Sequence, residues 1–455
     1  MARISRRNFL RTSAAALAAL HCVNVGVPAF ARTRNPNEKL NIGYVGVWGQ
    51  SRTTMAEMKD ENFYALCDVD ARRLGMANEQ YPGGKLYADY RKMLEELSEK
   101  LDAVVVSTPD HSHAAPSVQA MRMGLHCYCE KPLAHDVREC RVMQEVAAQM
   151  KVATQMGTQP NSWPNYYETE ALVKSGAIGK VEEVHVWTCT GNATGYVVGI
   201  GGKADVGIPL GNGWGQTPDQ TLPAGMPVPE GLNWDLWLGA AADTPYHDCY
   251  FPGNWRRWWN FGSGQLGDFG CHYMNLPVRT LGLINCQTVE AWGPKVNPFA
   301  CPEYLRVRYT FPNCVLTWYD GNTIPEMEAV LAKHNLPQRG NGILFVGTEG
   351  CLYANYTEHI LYPESKYADF KAPEPFIPRS NGGHYKEFTD ACKANDPSLA
   401  RCPFSYAGRL TETVLLGTLA YKTGRKLTWD ADRFQTDVPE ANALLARTYR
   451  DGWKL

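Results

Sequence analysis

The chain has 455 residues, too many for one ordinary hydrophobic core, so we expect two domains. It is 44% hydrophobic and 20% charged, which is the composition of a globular protein. The 45 basic and 47 acidic residues leave a net charge of −2, and this near balance argues against nucleic acid or a membrane surface as a partner.

The first 31 residues show the features of an export signal in the right order. A twin-arginine pattern containing Arg6 and Arg7 precedes an apolar run over 12–20, and Ala29 to Ala31 fits a small-x-small cleavage site. A core or amphipathic helix is the alternative interpretation. We predict a twin-arginine signal peptide over 1–31, a linker over 32–39 and a periplasmic protein that contacts the membrane only through the export machinery.

Fourteen cysteines raise the question of disulfides in an exported protein. Because twin-arginine export carries folded proteins, we expect most of these thiols to be reduced and buried. Cys127 and Cys129 lie in a predicted strand, where alternate side chains point to opposite faces. This placement argues against a zinc or redox pair.

Short apolar runs alternate with helical stretches from residue 40 to about 160. Five or six strands in such an alternation indicate a doubly wound parallel sheet, so we predict a Rossmann domain over 40–160. The predicted strands cover 40–47, 63–67, 85–90, 103–106, 125–128 and 152–156, and the clearest helices cover 53–59, 91–98 and 137–150.

Two polar loops follow neighbouring strands of this sheet. The loop over 107–113 follows the strand at 103–106, and the loop with Glu130, Lys131 and Pro132 follows the next strand. Open α/β sheets bind their ligands at the carboxyl ends of the strands. We therefore expect both loops to open onto one site, with Lys131 at its centre.

The loop after the first strand is a weak match to a phosphate-binding turn. In a Gly-x-Gly-x-x-Gly register from Gly46, Trp48 and Ser51 replace the second and third glycines. Either Trp48 swings clear or the loop uses Gly49, and an ordinary strand–helix turn is the alternative. Asp68 lies close to the ~20-residue spacing expected of a ribose-binding acid, and an acid there favours NAD over NADP.

After residue 160 the pattern changes to that of an α+β domain over 161–455. Alternating apolar residues predict a mostly antiparallel sheet. Glycine and proline between 191 and 231 predict long loops. The predicted strands cover 181–187, 288–292, 305–311, 315–319 and 342–348, and helices cover 166–175 and 407–422.

Two histidines of the second domain are candidates for chemistry. Asp268 and His272 are four residues apart, so on a helix they share a face and could transfer a proton. The alternative is a buried pair that only anchors the helix. His384 follows two glycines and precedes a predicted helix over 385–394, which an ordinary capped start would also explain.

The aromatic run over 255–261 predicts either a sugar-stacking platform or packing between the domains. No His-x-x-x-His spacing occurs among the candidate histidines, so we predict no metal.

Three motifs together resemble the Gfo/Idh/MocA oxidoreductase family. They are Glu130-Lys131-Pro132, the loop over 108–113 and the segment from Gly267 to His272 with Asp268 inside it. The resemblance implies an N-terminal Rossmann domain, a C-terminal domain with a mostly antiparallel sheet, and NAD(P)-dependent oxidation or reduction of a ring hydroxyl in a sugar or cyclitol.

The resemblance also implies roles for single residues. Lys131 would contact cofactor and substrate and precede a cis peptide, Asp268 would position the substrate, and His272 would be the acid–base. The expected cofactor contacts are Gly46, Trp48, Gly49, Ser51, Arg52, Asp68, Thr108, Pro109, His111, Glu130, Lys131 and Gln159. The expected substrate contacts are Lys131, Arg257, Trp258, Asp268, His272 and His384.

We therefore expect an exported NAD-dependent oxidoreductase for a sugar or glycoside, with NAD(H) tightly bound. Some exported relatives are glycosidases that recycle a bound NAD, although they carry glycines where this chain has Tyr385 and Lys386. That hydrolytic activity and a non-catalytic sugar-binding role are the alternatives. The resemblance also implies a homo-oligomer joined through the second sheet.

Overall fold

The structure is a computed structural model that describes residues 38–189, 222–251, 253–371, 377–378 and 380–455. The predicted signal peptide lies outside these residues. So do most of the predicted linker and most of the predicted loop region over 191–231.

The first domain is built on a parallel sheet of six strands in the order β3-β2-β1-β4-β5-β6. Its central strand β4 is an uninterrupted apolar run that is buried along its whole length, as expected where helices cover both faces. The sequence prediction of a Rossmann sheet is confirmed. The strands are β1 (Asn41–Val45), β2 (Asn62–Cys67), β3 (Lys85–Tyr87), β4 (Ala103–Val106), β5 (His126–Glu130) and β6 (Thr154–Gly157).

Aspartates fix where several helices of this domain begin. Asp70, Asp89 and Asp136 each accept a hydrogen bond from a backbone N–H of the first turn, and Glu139 completes a capping box with Asp136. The helices are α1 (Ser51–Glu57), α2 (Ala71–Gln80), α3 (Tyr90–Leu97), α4 (Ala114–Arg122) and α5 (Val137–Met150).

The second domain carries a nine-stranded sheet in the order β13-β12-β11-β7-β10-β9-β8-β14-β15. The β7–β10 pair is parallel and the other pairs are antiparallel, which confirms the predicted mostly antiparallel sheet. The strands are β7 (Val181–Thr188), β8 (Thr288–Trp292), β9 (Arg306–Phe311), β10 (Cys314–Asp320), β11 (Asn341–Gly347), β12 (Cys351–Ala354), β13 (His359–Tyr362), β14 (Leu427–Asp430) and β15 (Gln435–Thr436).

One long helix, α13 (Phe404–Thr423), packs against both α5 of the first domain and β8 of the second sheet. It is apolar nearly all round because it is covered on several sides. The other helices are α6 (Pro164–Lys174), α7 (Trp234–Leu238), α8 (Gly264–Tyr273), α9 (Asn275–Leu281), α10 (Pro325–Lys333), α11 (Glu364–Tyr367), α12 (His384–Ala394) and α14 (Pro439–Asn442).

The aromatic run over 255–261 serves mainly packing. Trp258 and Phe261 are buried in an aromatic cluster with Tyr250, and Trp259 joins the main core. Packing therefore accounts for these three side chains, and Phe261 also makes the predicted contact between the domains, with its ring centroid 5.2 Å from that of His111.

The thirteen cysteines in the described ranges are free, and most are buried. None of the helices described is long and apolar enough to cross a membrane. Within the same ranges, no three His, Cys, Asp or Glu side chains are grouped so that they could hold a metal ion.

We predict that Glu412→Gln lowers the free energy of unfolding by about 3–5 kcal/mol. The Glu412 carboxylate bonds Arg141 of α5 at 2.8 and 2.9 Å, and both side chains are largely buried. The substitution leaves the guanidinium without its charged partner. Denaturant titration measures the loss.

Arg433→Gln is the matched control, because Arg433 is 75% exposed and lies 3.7 Å from Asp430. It should change stability by less than about 1 kcal/mol. Equal losses in the two variants would contradict a structural role for the buried pair.

Candidate active site

A cleft lies between the domains, at the carboxyl ends of the parallel strands. Both domains line it, as expected for a ligand site of an open α/β sheet. The first domain contributes Gly46, Trp48, Gly49, Asp68, Thr108, Pro109, Asp110, His111, Glu130, Lys131 and Gln159. The rest of the chain contributes Trp237, Phe251, Trp255, Arg256, His272 and Trp453 among others.

The loop after β1 approaches the neighbouring strand closely. Gly46 has φ +80°, and a Cβ there would lie 2.7 Å from the Ser107 carbonyl oxygen, so only glycine fits. Gly49 has φ +61°, and the Arg52 guanidinium lies 4.7 Å from the Trp48 ring centroid. The loop therefore turns on Gly46 and Gly49, which both have positive φ.

Ser51 and Arg52, both expected to contact the cofactor, do not line the cleft. Ser51 is fully buried as the first residue of α1. Arg52 is held over Trp48 instead. The helix starts two residues earlier than the predicted 53–59, so both residues belong to its first turn.

Asp68 follows β2 and is held by backbone donors. The Val47 N–H donates to Oδ2 at 3.0 Å and the Asp70 N–H donates to Oδ1 at 3.0 Å. Burial raises the pKa of the Asp68 carboxyl, while these two N–H groups and Arg73 oppose the rise. The carboxylate thus has a fixed orientation at the place where a Rossmann fold holds a ribose.

Lys131 connects the domains through Asp268. Its Nζ lies 2.5 Å from Asp268 Oδ1 and 2.8 Å from the Asp268 carbonyl oxygen, and Arg256 Nε lies 3.2 Å from the same Oδ1. Burial would raise the pKa of Asp268, but the two cations hold it well below its usual range. The Lys131–Pro132 peptide is cis, as the resemblance implies.

Asp268 itself does not line the cleft, so it acts on the cleft through Lys131. Its Oδ2 is buried and has no hydrogen-bond partner among the described residues.

His272 lies one turn after Asp268 on α8 and lines the cleft. Burial and the nearby Lys131 lower the pKa of His272 to about 3, so the imidazole is neutral at physiological pH. Its Nδ1 has no hydrogen-bond partner within the described ranges. A neutral, half-buried imidazole in the cleft can accept a hydrogen bond from a bound hydroxyl.

Asp110 and Arg256 are cleft residues that the sequence analysis did not select. Burial and the Asp268 carboxylate raise the pKa of Asp110 to about 8, against the opposing effects of Arg256 and Lys131. The only sequence signal for Asp110 was its place in the loop over 108–113. Arg256 precedes the selected Arg257 in a short 3₁₀ turn (Asn254–Arg257), which decides which arginine faces the cleft.

Arg257, Trp258 and His384 were expected to contact the substrate, and none of them lines this cleft. Trp258 is 4% exposed in the aromatic cluster. His384 begins α12, is 4% exposed, and packs edge-on against Tyr128 at 5.8 Å. The ordinary helix start accounts for its position.

Glu130 and His111 do line the cleft. Burial raises the pKa of Glu130 to about 7, and its Oε1 accepts hydrogen bonds from Tyr128 and Gln159, each at 3.2 Å. His111 donates through Nε2 to the Trp237 carbonyl at 2.9 Å, so this loop is also tied to the second domain.

Two family models match the chain. Residues 40–158 match the NAD-binding Rossmann fold of the Gfo/Idh/MocA oxidoreductase family, and residues 212–455 match its C-terminal alpha/beta domain. The chain belongs to the Gfo/Idh/MocA oxidoreductase family. Its first domain is accordingly an NAD-binding Rossmann domain, which confirms the predicted cofactor.

Curated relatives match over part of their length. Inositol 2-dehydrogenase of Rubrobacter xylanophilus is 28% identical over 156 residues, 32% of this chain and 43% of the relative. A glycosyl hydrolase family 109 protein of Shewanella baltica is 24% identical over 210 residues, 40% of this chain and 45% of the relative. The matched region thus spans less than half the length of these relatives.

Solved structures share the fold over nearly their full length. The WlbA dehydrogenase from Bordetella pertussis, in complex with NADH and UDP-GlcNAcA, has a TM-score of 0.60 at 14% identity and covers 87% of this chain and 100% of its own. An inositol dehydrogenase homolog from Azotobacter vinelandii, with NADH and myo-inositol, has a TM-score of 0.56 at 14% identity and covers 86% and 98%. At these identities the likeness shows the fold alone.

We predict that Asp110→Asn becomes increasingly stabilising, relative to the unmodified protein, between about pH 4 and pH 8. The pKa of Asp110 is raised to about 8 in the folded state. The unfolded chain, with a pKa of about 3.9, therefore ionises first as the pH rises, and the folded state of the unmodified protein loses stability up to about pH 8. Thermal midpoints of both proteins across this range measure the difference. A constant difference would contradict the buried, protonated carboxyl.

Proposed function

We propose that this protein is an NAD-dependent oxidoreductase that acts on a ring hydroxyl of a sugar or glycoside. The observation that carries the proposal is the position of Lys131 and His272. They come from different domains, yet they line one cleft together with Gly46 and Asp68, which a dinucleotide needs. The similarity to inositol 2-dehydrogenase supports a polyhydroxylated ring as the substrate class.

The residues present fit NAD. Gly46 lets the loop after β1 pass close to the Ser107 backbone, and the Asp68 carboxylate is oriented where it would bond a ribose hydroxyl. The loop of Gly46 and Gly49 would hold the pyrophosphate, and Thr108 and Glu130 border the same space. A nicotinamide bound there supplies the hydride acceptor or donor of the reaction.

The protein's own groups handle the proton. The Lys131 ammonium, fixed by Asp268, is placed to hydrogen-bond the oxygen of a substrate hydroxyl and to stabilise negative charge that develops on it. His272 lines the cleft with an Nδ1 that has no hydrogen-bond partner among the described residues, and it accepts the hydroxyl proton at a ring nitrogen during oxidation and returns it during reduction.

A second candidate function is redox-assisted cleavage of a glycoside with a recycled cofactor. It is favoured by Asp110, a carboxyl whose pKa of about 8 keeps it protonated in the same cleft at neutral pH. Loss of an aglycone needs such a proton donor in addition to His272. Similarity to glycosyl hydrolase family 109 proteins also supports it. A non-catalytic sugar-binding role has less support, because the groups for proton transfer lie together in the cleft.

We also propose that the protein is exported by the twin-arginine route, works in the periplasm as a homo-oligomer and keeps its NAD tightly bound. The order of Arg6, Arg7, the apolar run and the cleavage site supports export. A compartment that supplies little free NAD would favour a cofactor that is loaded before export and retained.

Purified protein should contain nicotinamide, detectable by absorbance and mass spectrometry. Incubation with 3-keto sugars, cyclitols and nitrophenyl glycosides then separates the candidates. Net formation or consumption of NADH supports the dehydrogenase, and aglycone release without net NADH supports the cleavage reaction. Protein that binds no nicotinamide, even with added NAD, would rule out both.

We predict that Lys131→Met lowers turnover by about 10²–10³-fold, the usual effect of removing one donor to a developing oxyanion. Steady-state rates with whichever substrate class is active measure the loss. Lys59→Met, at an exposed position on the surface, is the matched control and should keep the parent rate. A Lys131→Met variant within about threefold of the parent rate would contradict the assigned role.

A further inference from the structure

At the end of the cleft beside Asp68, residues that follow β3 and residues of the rest of the chain both form the wall. In a Rossmann domain the acid after the second strand marks the ribose of the adenosine half, so this end would receive the adenine ring. Ala88 and Tyr90 of the first domain line it, and Trp237, Phe251 and Trp453 line the facing side.

The first covering element is a cap, defined as residues 231–251 and 253–261. It is fastened to the Rossmann domain along its backbone. The Ala71 N–H donates to the Gly231 carbonyl at 2.8 Å, and the Asn233 N–H donates to the Val69 carbonyl at 2.9 Å. Phe251 of the cap also packs under the Arg73 guanidinium at 4.4 Å.

The second covering element is a tail, defined as residues 447–455. Arg450 bonds to the cap at three points. Its Nη1 lies 2.5 Å from the Asp235 carboxylate, its Nη2 donates to the Asp235 carbonyl at 2.7 Å, and its Nε donates to the Gly239 carbonyl at 3.2 Å. Three residues on, Trp453 places its ring centroid 4.2 Å from the Arg91 guanidinium and 6.2 Å from the Tyr90 ring.

Arg91 is itself fixed, since its Nη2 lies 2.7 Å from Asp89 Oδ2. A flat indole is therefore held at the adenosine end by contacts to both domains. The Arg91 guanidinium covers one face of the indole, and an indole that lines the cleft is a flat, polarisable surface on which a purine can stack.

We propose that Trp453 forms an adenine subsite with Tyr90 and that the tail and cap together retain NAD by closing over its adenosine half. This inference rests on the proposed function and deepens it. Release of the dinucleotide requires the tail to detach from Asp235 and Arg91. A cofactor held in this way stays bound over many turnovers, as a recycled NAD must.

The test measures NADH dissociation by stopped-flow fluorescence and equilibrium binding of NADH and of reduced nicotinamide mononucleotide, which lacks adenosine. Trp453→Ala should raise the NADH dissociation constant and release rate by about 10-fold to 100-fold, the range of one lost stacking partner. Its affinity for the mononucleotide should stay within about twofold of the parent value. Arg450→Ala should also raise the rate of NADH release.

Two further variants serve as controls. Trp453→Phe retains a flat ring and should restore most of the NADH affinity. Trp292→Ala removes an indole that is 45% exposed on β8, and it should leave both ligands unaffected.

Unchanged NADH release in Trp453→Ala would overturn this inference and leave the proposed function standing. Equal weakening of NADH and the mononucleotide would also overturn it, because Trp453 would then act on the whole cleft. A parent protein that binds neither ligand would overturn the proposed function as well.

Discussion

The site depends on one buried ion pair between the two domains. Lys131 belongs to the loop after β5 of the parallel sheet, and Asp268 belongs to α8 of the second domain. Removing two charges from water is costly, so this pair is favourable only with good geometry and further partners. The Asp268 carbonyl and Arg256 supply those partners. The pair fixes Lys131 in the cleft and, through α8, brings His272 to the same place.

Burial shifts the pKa values of His272 and Asp110, and one charge of the ion pair adds to each shift. Lys131 helps to keep His272 neutral, whereas the Asp268 carboxylate helps to keep Asp110 protonated. One cluster therefore offers a fixed ammonium, a proton acceptor and a proton donor within one cleft. That combination serves a dehydrogenase, and it would also serve a cleavage reaction that needs a proton for its leaving group.

The sequence predicted those parts of the site that follow from strand order. The bounds of β4, α5 and β8 match the predicted ranges, and the loops with Thr108 and Lys131 meet because parallel strands share a carboxyl edge. Positions set by tertiary contacts could not be read in this way. Arg256 faces the cleft in place of Arg257 because of one 3₁₀ turn. Trp453 lines the cleft near Tyr90 although the two residues lie over 350 positions apart in the chain.

A double-mutant cycle on Lys131→Met and Asp268→Asn tests the central ion pair most directly, with the free energy of unfolding as the readout. We expect strong coupling, since the two charges lie 2.5 Å apart in a largely buried site and either single substitution removes their attraction. The double variant should lose about 1–3 kcal/mol less than the sum of the single losses. Single losses that add to within about 0.5 kcal/mol would show that the two charges act independently and that the site does not depend on their pairing.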